Sequence, residues 1–409
     1  MLDGMPAQKR GKEDEGAPAE AGEEDRVSAL PDEVLHQVLS FVPAEEAVRT
    51  CVLARRWHHL WKSATSLRIG YLRNEPVSVT ALERFLDPLF LLRGASPLDT
   101  CNIRIGEYPD KSDGYLVREW FRHVVACKVQ EFTLHVEDID YTEPWLELDD
   151  RTVVSQHLTR LKLHSVRCHD NFLDFTSCSA LEHLEFEKCE ISSATKISSA
   201  SMKCLSITDS ELSDDCRIRI YAPNLVSLRL DTFWGWAPIL ENMQSLVEAF
   251  VRVTDDCKDR CKKRCQAGQD CNCEYRDNGN IGNGSFVLLK GLSKARKLVL
   301  ISGPLMSIFK RDLRWCPTFS MLKTLLLNEY WCVPDDFSAL ACMLEHSPVL
   351  EKLTLQLFSE GPDHKFEVKA TCSKKRSSAI SEHLKIVEIK FNFPCERVIK
   401  VLKFVERLT

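Results

Sequence analysis

A short apolar motif, LxxLxL, recurs past residue 95 and constrains the fold of this chain more than any other feature. Clean copies begin at Leu158, Leu181, Met202 and Leu225, at intervals of 23, 21 and 23 residues. Because side chains alternate along a strand, the fourth and sixth positions predict the buried face of a short strand, with the first position packing beneath it. One such unit cannot bury its apolar face alone, so neighbouring units must stack.

The remaining copies are less regular. A period of about 20–29 residues with this motif is typical of leucine-rich repeats. The pattern therefore predicts an α/β fold in which an irregular leucine-rich-repeat solenoid fills most of the chain, with strand residues between the core positions on its concave surface. The further copies begin at Leu246, Leu322 and Leu350, and weaker ones at Thr100, Val129, Ala295 and Leu384.

A different pattern occupies the N-terminal part of the chain. Residues 1–25 are rich in Glu, Ala, Gly and Lys and contain no aromatic residue, which predicts a disordered tail. From Arg26 the sequence predicts three short helices. Pro31 suits the start of the first, and the two acidic residues after it favour the positive helix end. Pro43 ends that helix and begins the second, and the third is predicted over about 54–62.

These helices carry more apolar side chains than a segment of about forty residues can bury by itself. Two explanations fit: the side chains dock on the rest of this chain and cap the repeats, or they form an interface for a partner. The residues concerned are Leu30, Leu35, Leu39, Val48, Val52, Leu53 and Trp57.

The order of motifs over residues 26–62 resembles an F-box, and especially the F-box of the plant F-box/leucine-rich-repeat family. The matching stretches are Leu30–Leu35, Leu39–Pro43, Ala47–Leu53 and Arg55–Trp57, followed by Trp61. A looser similarity to the FBD-related C-terminal region of that family begins at about residue 319. The predicted domains are therefore a tail (1–25), an F-box (26–66) and the repeats (67–409), with a Cys-rich insertion near 254–284.

The resemblance implies a substrate-recognition subunit of a Skp–cullin–F-box ubiquitin ligase, in the cytoplasm, the nucleus or both. The F-box would bind a Skp-family adaptor and through it a cullin, and the repeats would bind a target protein. A repeat scaffold that is not coupled to ubiquitination remains the alternative, and a metal-sensing regulator is a third hypothesis. The expected adaptor-binding residues are Leu30, Pro31, Leu35, Leu39, Val48, Val52, Leu53 and Trp57.

The residues between the core positions of successive strands are predicted to face outward. Their charge changes from basic to acidic to mixed along the repeats, which suits a protein partner better than a phosphate backbone. Trp234 and Trp236 follow the last clean strand, either as an exposed anchor or packed beneath the insertion. The candidate target-binding residues are Lys162, His164, Glu185, Glu187, Arg229 and Asp231.

The insertion is the candidate metal site. Its first three cysteines are four residues apart and interleaved with Lys and Arg, whose charges would lower the thiol pKa. Zinc is one interpretation, but no CxxC pair occurs, and a reduced surface loop or a redox pair are the others. Apart from this, no cofactor is predicted. The cysteines are Cys257, Cys261, Cys265, Cys271 and Cys273.

Several function classes are disfavoured by the sequence. The net charge of −6 does not favour a nucleic-acid partner, and no apolar run approaches the roughly 18 residues of a membrane span. None of the phosphate-binding, zinc-protease or hydrolase motifs GxxxxGK[ST], HExxH and GxSxG occurs. We therefore expect a non-catalytic protein whose cysteines are mostly free buried thiols.

Overall fold

A computed structural model describes most of the chain from Val27 onward. The described residues are 27, 29–71, 77–106, 113–137, 146–148, 151–259, 288–304, 306–332, 337–358, 366–371 and 382–408. Within them, no helix combines the length and apolar character that a bilayer crossing requires.

Nine helices and three short 3₁₀ turns are found in the described residues. The 3₁₀ turns are Thr50–Val52, Trp61–Ser63 and Glu329–Trp331. The helices are α1 (Asp32–Ser40), α2 (Ala44–Arg49), α3 (Trp57–Leu60), α4 (Val79–Arg93), α5 (Asp113–Ala126), α6 (Leu289–Leu292), α7 (Ser307–Leu313), α8 (Ser338–Glu345) and α9 (Glu396–Leu408). The three predicted N-terminal helices are confirmed as α1 to α3.

The same residues form nineteen strands. They are β1 (Ser66–Ile69), β2 (Thr100–Ile105), β3 (Glu131–Val136), β4 (Leu146–Glu147), β5 (Arg160–His164), β6 (Val166–Arg167), β7 (His183–Glu187), β8 (Glu190–Ile191), β9 (Lys196–Ser198), β10 (Cys204–Leu212), β11 (Arg219–Tyr221), β12 (Ser227–Trp234), β13 (Ile239–Glu241), β14 (Glu248–Val253), β15 (Lys297–Ser302), β16 (Thr324–Asn328), β17 (Lys352–Gln356), β18 (Phe366–Thr371) and β19 (Ile386–Phe391).

Most of the strands form one long, open and mostly parallel sheet. Its main path runs β1-β2-β3-β5-β7-β10-β12-β14-β15-β16-β17-β19, and β18 then pairs antiparallel with β19 at the far end. The motif register is kept from strand to strand: Leu161 lies beside Leu184, Leu184 beside Leu205, and Leu205 beside Leu228. The first, fourth and sixth motif positions are buried in all four clean copies, as the alternation predicts.

The connections between sheet strands explain the irregular spacing. In the middle of the chain they contain the short strands β9, β11 and β13, which form a second parallel sheet. Toward both ends they contain helices, such as α5 before β3 and α8 before β17. A helix rises about 1.5 Å per residue and a strand about 3.3 Å, so a helical connection uses more residues to return the same distance.

The N-terminal helices pack against the first strand of the sheet. Both α1 and α2 contact β1, and Arg68 donates a hydrogen bond to the carbonyl oxygen of Phe41 at 2.9 Å. Arg93 of α4 donates to the carbonyl of Trp61 at 2.9 Å. Only glycine fits directly after β1, because the φ of Gly70 is +80° and a Cβ there would lie 1.9 Å from the Arg104 carbonyl oxygen. The helices and the sheet therefore share one continuous core.

Candidate interaction surfaces

Helix α1 has two apolar faces, and the protein covers one of them. Leu35 and Leu39 are buried, one turn apart, facing the β1 side. Val34, Val38 and Phe41 lie at i, i+4 and i+7 and are exposed, and we call these three residues the α1 stripe. The structure divides the apolar residues of this helix in two, because the leucines complete the protein core and the valines remain outside.

A second exposed apolar feature follows α2. Val52 ends the 3₁₀ turn at Thr50–Val52, and Leu53 comes next. Their side chains are 83% and 68% exposed. Isolated exposed aliphatic residues are common, but a pair this exposed in a short turn, on a segment that also carries the α1 stripe, makes this segment the candidate surface for a partner.

The predicted adaptor-binding residues divide into three groups. Pro31, Val52 and Leu53 are exposed, whereas Leu30 and Val48 are half-buried and pack against the core. Three others lie inside the protein, where they stabilise its core and are not open to a partner: Leu35, Leu39 and Trp57. Val34, Val38 and Phe41 were not predicted as exposed residues, although their i, i+4, i+7 spacing is visible in the sequence.

The outward face of the sheet is largely neutralised within the protein. The Nζ atom of Lys162 lies 2.9 Å from Glu185 Oε1 and 3.0 Å from Glu187 Oε2. Asp231 is paired with Arg229 and with Arg252, the latter at 3.2 Å. These candidate target-binding residues therefore lie on neighbouring strands, as the register predicts, but their charges are engaged with one another.

Two of the candidate residues on this face are not freely accessible. His164 and Asp231 are both buried, which corrects the expectation that every residue between core positions is open to a partner.

The more accessible groups on the same face are aromatic or cationic. The Arg229 guanidinium lies over the Phe250 ring at 4.2 Å, and Trp234 at the end of β12 is 41% exposed. Trp236 is half-buried, and its Nε1 donates to the Asp214 carbonyl.

A histidine pair makes this face sensitive to pH. His135 and His164 are register neighbours with stacked rings 4.0 Å apart, and His164 Nδ1 is 3.1 Å from the Val136 carbonyl oxygen. Burial, followed by the charges of His164 and Arg104, lowers the pKa of His135 to about 4. Burial also lowers the pKa of His164. Both rings are therefore neutral in the folded protein at pH 7.

We expect the protein to lose thermal stability between pH 6.5 and pH 4. In this range the unfolded chain binds protons at these histidines more readily than the folded chain, in which the pKa of His135 is about 4, so stability is highest above pH 6.5 and falls as the pH drops. Because the His135 ring is only half-buried, the Tm should fall by only about 2–4 °C from this pair. Calorimetry of His135→Phe should give a weaker pH dependence, whereas exposed His58→Gln should match the parent; equal slopes for parent and His135→Phe would contradict the assignment.

Most of the predicted metal segment lies outside the described residues. Cys261, Cys265, Cys271 and Cys273 belong to this part, and the zinc interpretation for them stays a prediction. Cys257 is described, and it is buried with its thiol 3.6 Å from an Asp259 carboxylate oxygen. Burial and then Asp259 raise the pKa of Cys257 to about 12, so the expectation that neighbouring cations lower it is wrong for this residue. All described cysteines are free thiols.

Comparison with known proteins agrees with the N-terminal resemblance. Residues 27–68 match the F-box domain family model. An F-box/FBD/LRR-repeat protein of Arabidopsis thaliana is 27% identical over 91% of this chain and 85% of its own length. An F-box/LRR-repeat protein of the same plant is 25% identical over 88% of this chain and 99% of its own length. An FBD-associated F-box protein, also from Arabidopsis thaliana, is 33% identical over 27% of each chain.

Proposed function

We propose that this chain is the substrate-recognition subunit of a Skp–cullin–F-box ubiquitin ligase. Two findings support the proposal: the chain carries an F-box domain, and it is a homologue of the plant F-box/leucine-rich-repeat proteins over most of its length. Its N-terminal helices bind a Skp-family adaptor, which links the chain to a cullin. The remaining units stack as an irregular leucine-rich-repeat solenoid that holds a target protein.

One observation carries the adaptor assignment: the N-terminal helices bury one apolar face in their own protein and still expose a second. The exposed apolar side chains of these helices include the α1 stripe, Val52 and Leu53. Burying five such side chains, at ~1.5–3 kcal/mol each, gives on the order of 10 kcal/mol before the costs of association. Lost translational and side-chain freedom offsets much of this, which leaves an affinity suited to a reversible subunit.

In this proposal the chain performs no covalent chemistry. It raises the effective concentration of a target lysine near a ubiquitin-loaded conjugating enzyme by holding the target in place. The accessible aromatic and cationic groups on the outward sheet face, including Phe250, Arg229 and Trp234, are the proposed contacts for that target. A target that also used Lys162 or Glu185 would have to exchange their existing ion pair for a new one.

A second candidate is a repeat scaffold that has no link to a ligase. The burial of Leu35 and Leu39 on the β1 side favours it, because that is what a solenoid cap would do. The exposure of Leu53 argues against this candidate, because a cap stabilises a solenoid by burying its apolar side chains, and Leu53 is not buried. The two candidates therefore differ in whether the exposed face has a partner.

The direct test is complex formation between the purified full chain and a recombinant plant Skp-family adaptor. We expect the two proteins to co-elute in size-exclusion chromatography at micromolar concentration. Replacing both Leu30 and Pro31 by alanine should weaken the complex, because Pro31 lies on the exposed side of the first helix and Leu30 positions it. Separate elution of the folded parent chain and the adaptor at these concentrations would refute the proposal.

A further inference from the structure

A cluster of two thiols and one imidazole lies where α7 and α8 meet. Cys316 follows α7, Cys342 lies in α8, and His346 comes directly after that helix. One ligand atom from each, the two sulfurs and a ring nitrogen, all lie within 4.8 Å of one another. The cluster forms no recognisable sequence motif, because its two cysteines lie 26 positions apart in the chain.

The fold brings the three side chains together in a simple way. Cys342 and His346 are four residues apart, so they lie on the same face at the end of α8. Cys316 reaches them from the neighbouring helix, because α7 and α8 pack together. The backbone N–H of Phe319 donates to the His346 carbonyl oxygen at 2.8 Å, which holds the segment after Cys316 against the end of α8.

From this geometry we propose that Cys316, Cys342 and His346 form a zinc-binding site, with a water molecule or an external ligand in the fourth position. Thiolate and imidazole are the ligands that Zn²⁺ prefers, whereas Mg²⁺ and Ca²⁺ take oxygen ligands. In a tetrahedral zinc site, sulfur and nitrogen ligands are roughly 3.5–4 Å apart. The present separations therefore need to contract by only about 1 Å.

The surroundings of the cluster suit a ligand set. All three residues are half-buried, so an ion can reach them while bulk water is partly excluded. His346 Nδ1 lies 2.9 Å from the Cys342 carbonyl oxygen and 3.9 Å from the Cys342 sulfur, which holds the imidazole beside the thiol at the end of α8.

A bound ion would join two consecutive repeat units, because Cys316 precedes β16 and α8 precedes β17. It would therefore stabilise this part of the molecule whatever partner the N-terminal helices bind. The site is independent of the cysteine segment around 257–273, whose thiols must be removed before zinc binding can be assigned.

The test uses the full chain with Cys261, Cys265, Cys271 and Cys273 replaced by serine, first stripped of metal by a chelator. We expect this background protein to bind about one equivalent of Zn²⁺ and to melt at a higher temperature with zinc than without it. Co²⁺ in place of zinc should give an absorption band from thiolate ligation.

Three variants in that background locate the site. Cys342→Ser and His346→Ala should each weaken zinc binding at least tenfold and remove the thermal shift, and Cys342→Ser should also reduce the cobalt band. Cys395→Ser, which changes an exposed cysteine outside the cluster, should behave as the background does.

Two results would overturn the proposal: no zinc binding by the folded background protein, or unchanged zinc affinity in both Cys342→Ser and His346→Ala. Circular dichroism in the presence of chelator checks that each variant is folded. If Cys342→Ser does not fold, His346→Ala and Cys316→Ala decide the question.

Discussion

Replacing both Val52 and Leu53 by aspartate should abolish binding of a Skp-family adaptor while the protein stays folded. Both side chains extend into solvent, so the substitution removes little packing and should change the free energy of unfolding by no more than about 0.5 kcal/mol. At an interface, the same change removes two aliphatic contacts and buries two carboxylates. If these residues are central contacts, we expect a loss of at least ~3 kcal/mol, or roughly 100-fold in Kd, by isothermal titration calorimetry.

The chain offers a matched control for this experiment. Leu91 on α4 is 83% exposed, as is Val52, but it lies outside the F-box match. Leu91→Asp should therefore leave the adaptor affinity unchanged. Leu35→Ala should instead change stability and not binding. It should lower the free energy of unfolding by about 2–5 kcal/mol, because it leaves a cavity in the core, and it should affect adaptor binding only through unfolding. Adaptor affinity within threefold of the parent in the doubly substituted, folded chain would refute the assigned interface.

Asp259→Ala should be the most destabilising single substitution at a charged residue described here. The buried Asp259 carboxylate accepts hydrogen bonds from two nitrogens of Arg217, and its Oδ1 lies 3.2 Å from Arg311. Its Oδ2 also accepts from the backbone N–H of Ala237 at 3.1 Å. Removing the carboxylate leaves two largely buried guanidinium groups without this shared anion, which costs about 3–5 kcal/mol.

Denaturant unfolding monitored by circular dichroism measures this effect. Asp259→Asn keeps an acceptor oxygen but loses the charge, and we expect it to fall between the parent and Asp259→Ala in stability. Glu46→Ala removes the exposed partner of Arg49 and should cost less than about 1 kcal/mol. Equal free energies of unfolding for Asp259→Ala and Glu46→Ala would contradict the prediction, because they would show that Arg217 and Arg311 do not need the Asp259 carboxylate.

The repeating part of the fold was predictable because its signal is local. Each LxxLxL copy predicts which side chains of one strand face the core. The register between strands follows when equivalent motif positions are aligned, and the fourth positions are indeed neighbours: Leu161, Leu184, Leu205 and Leu228. The short strands β9, β11 and β13 carry no comparable motif, and the sequence did not predict them. Their pairing depends on the stacking of whole units.

The candidate sites were harder to predict, for two physical reasons. Apolar periodicity identifies faces of a helix but not which face another part of the chain covers, so Leu35 and Leu39 were assigned to the partner. Charge alternation likewise does not reveal that Lys162 is already paired with Glu185 and Glu187 on the next strand. Both outcomes depend on contacts between segments distant in sequence.

The packing of α1 and α2 against β1 has a consequence for how this protein is studied in cells. A truncated chain lacking residues 27–68 would lose three of the four residues of β1 and leave β2 as the terminal strand of a parallel sheet. Open strand edges recruit other chains, so we expect the truncation to aggregate. A dominant phenotype from such a deletion would then reflect misassembly, and point substitutions at the solvent-facing turn are the cleaner genetic tool.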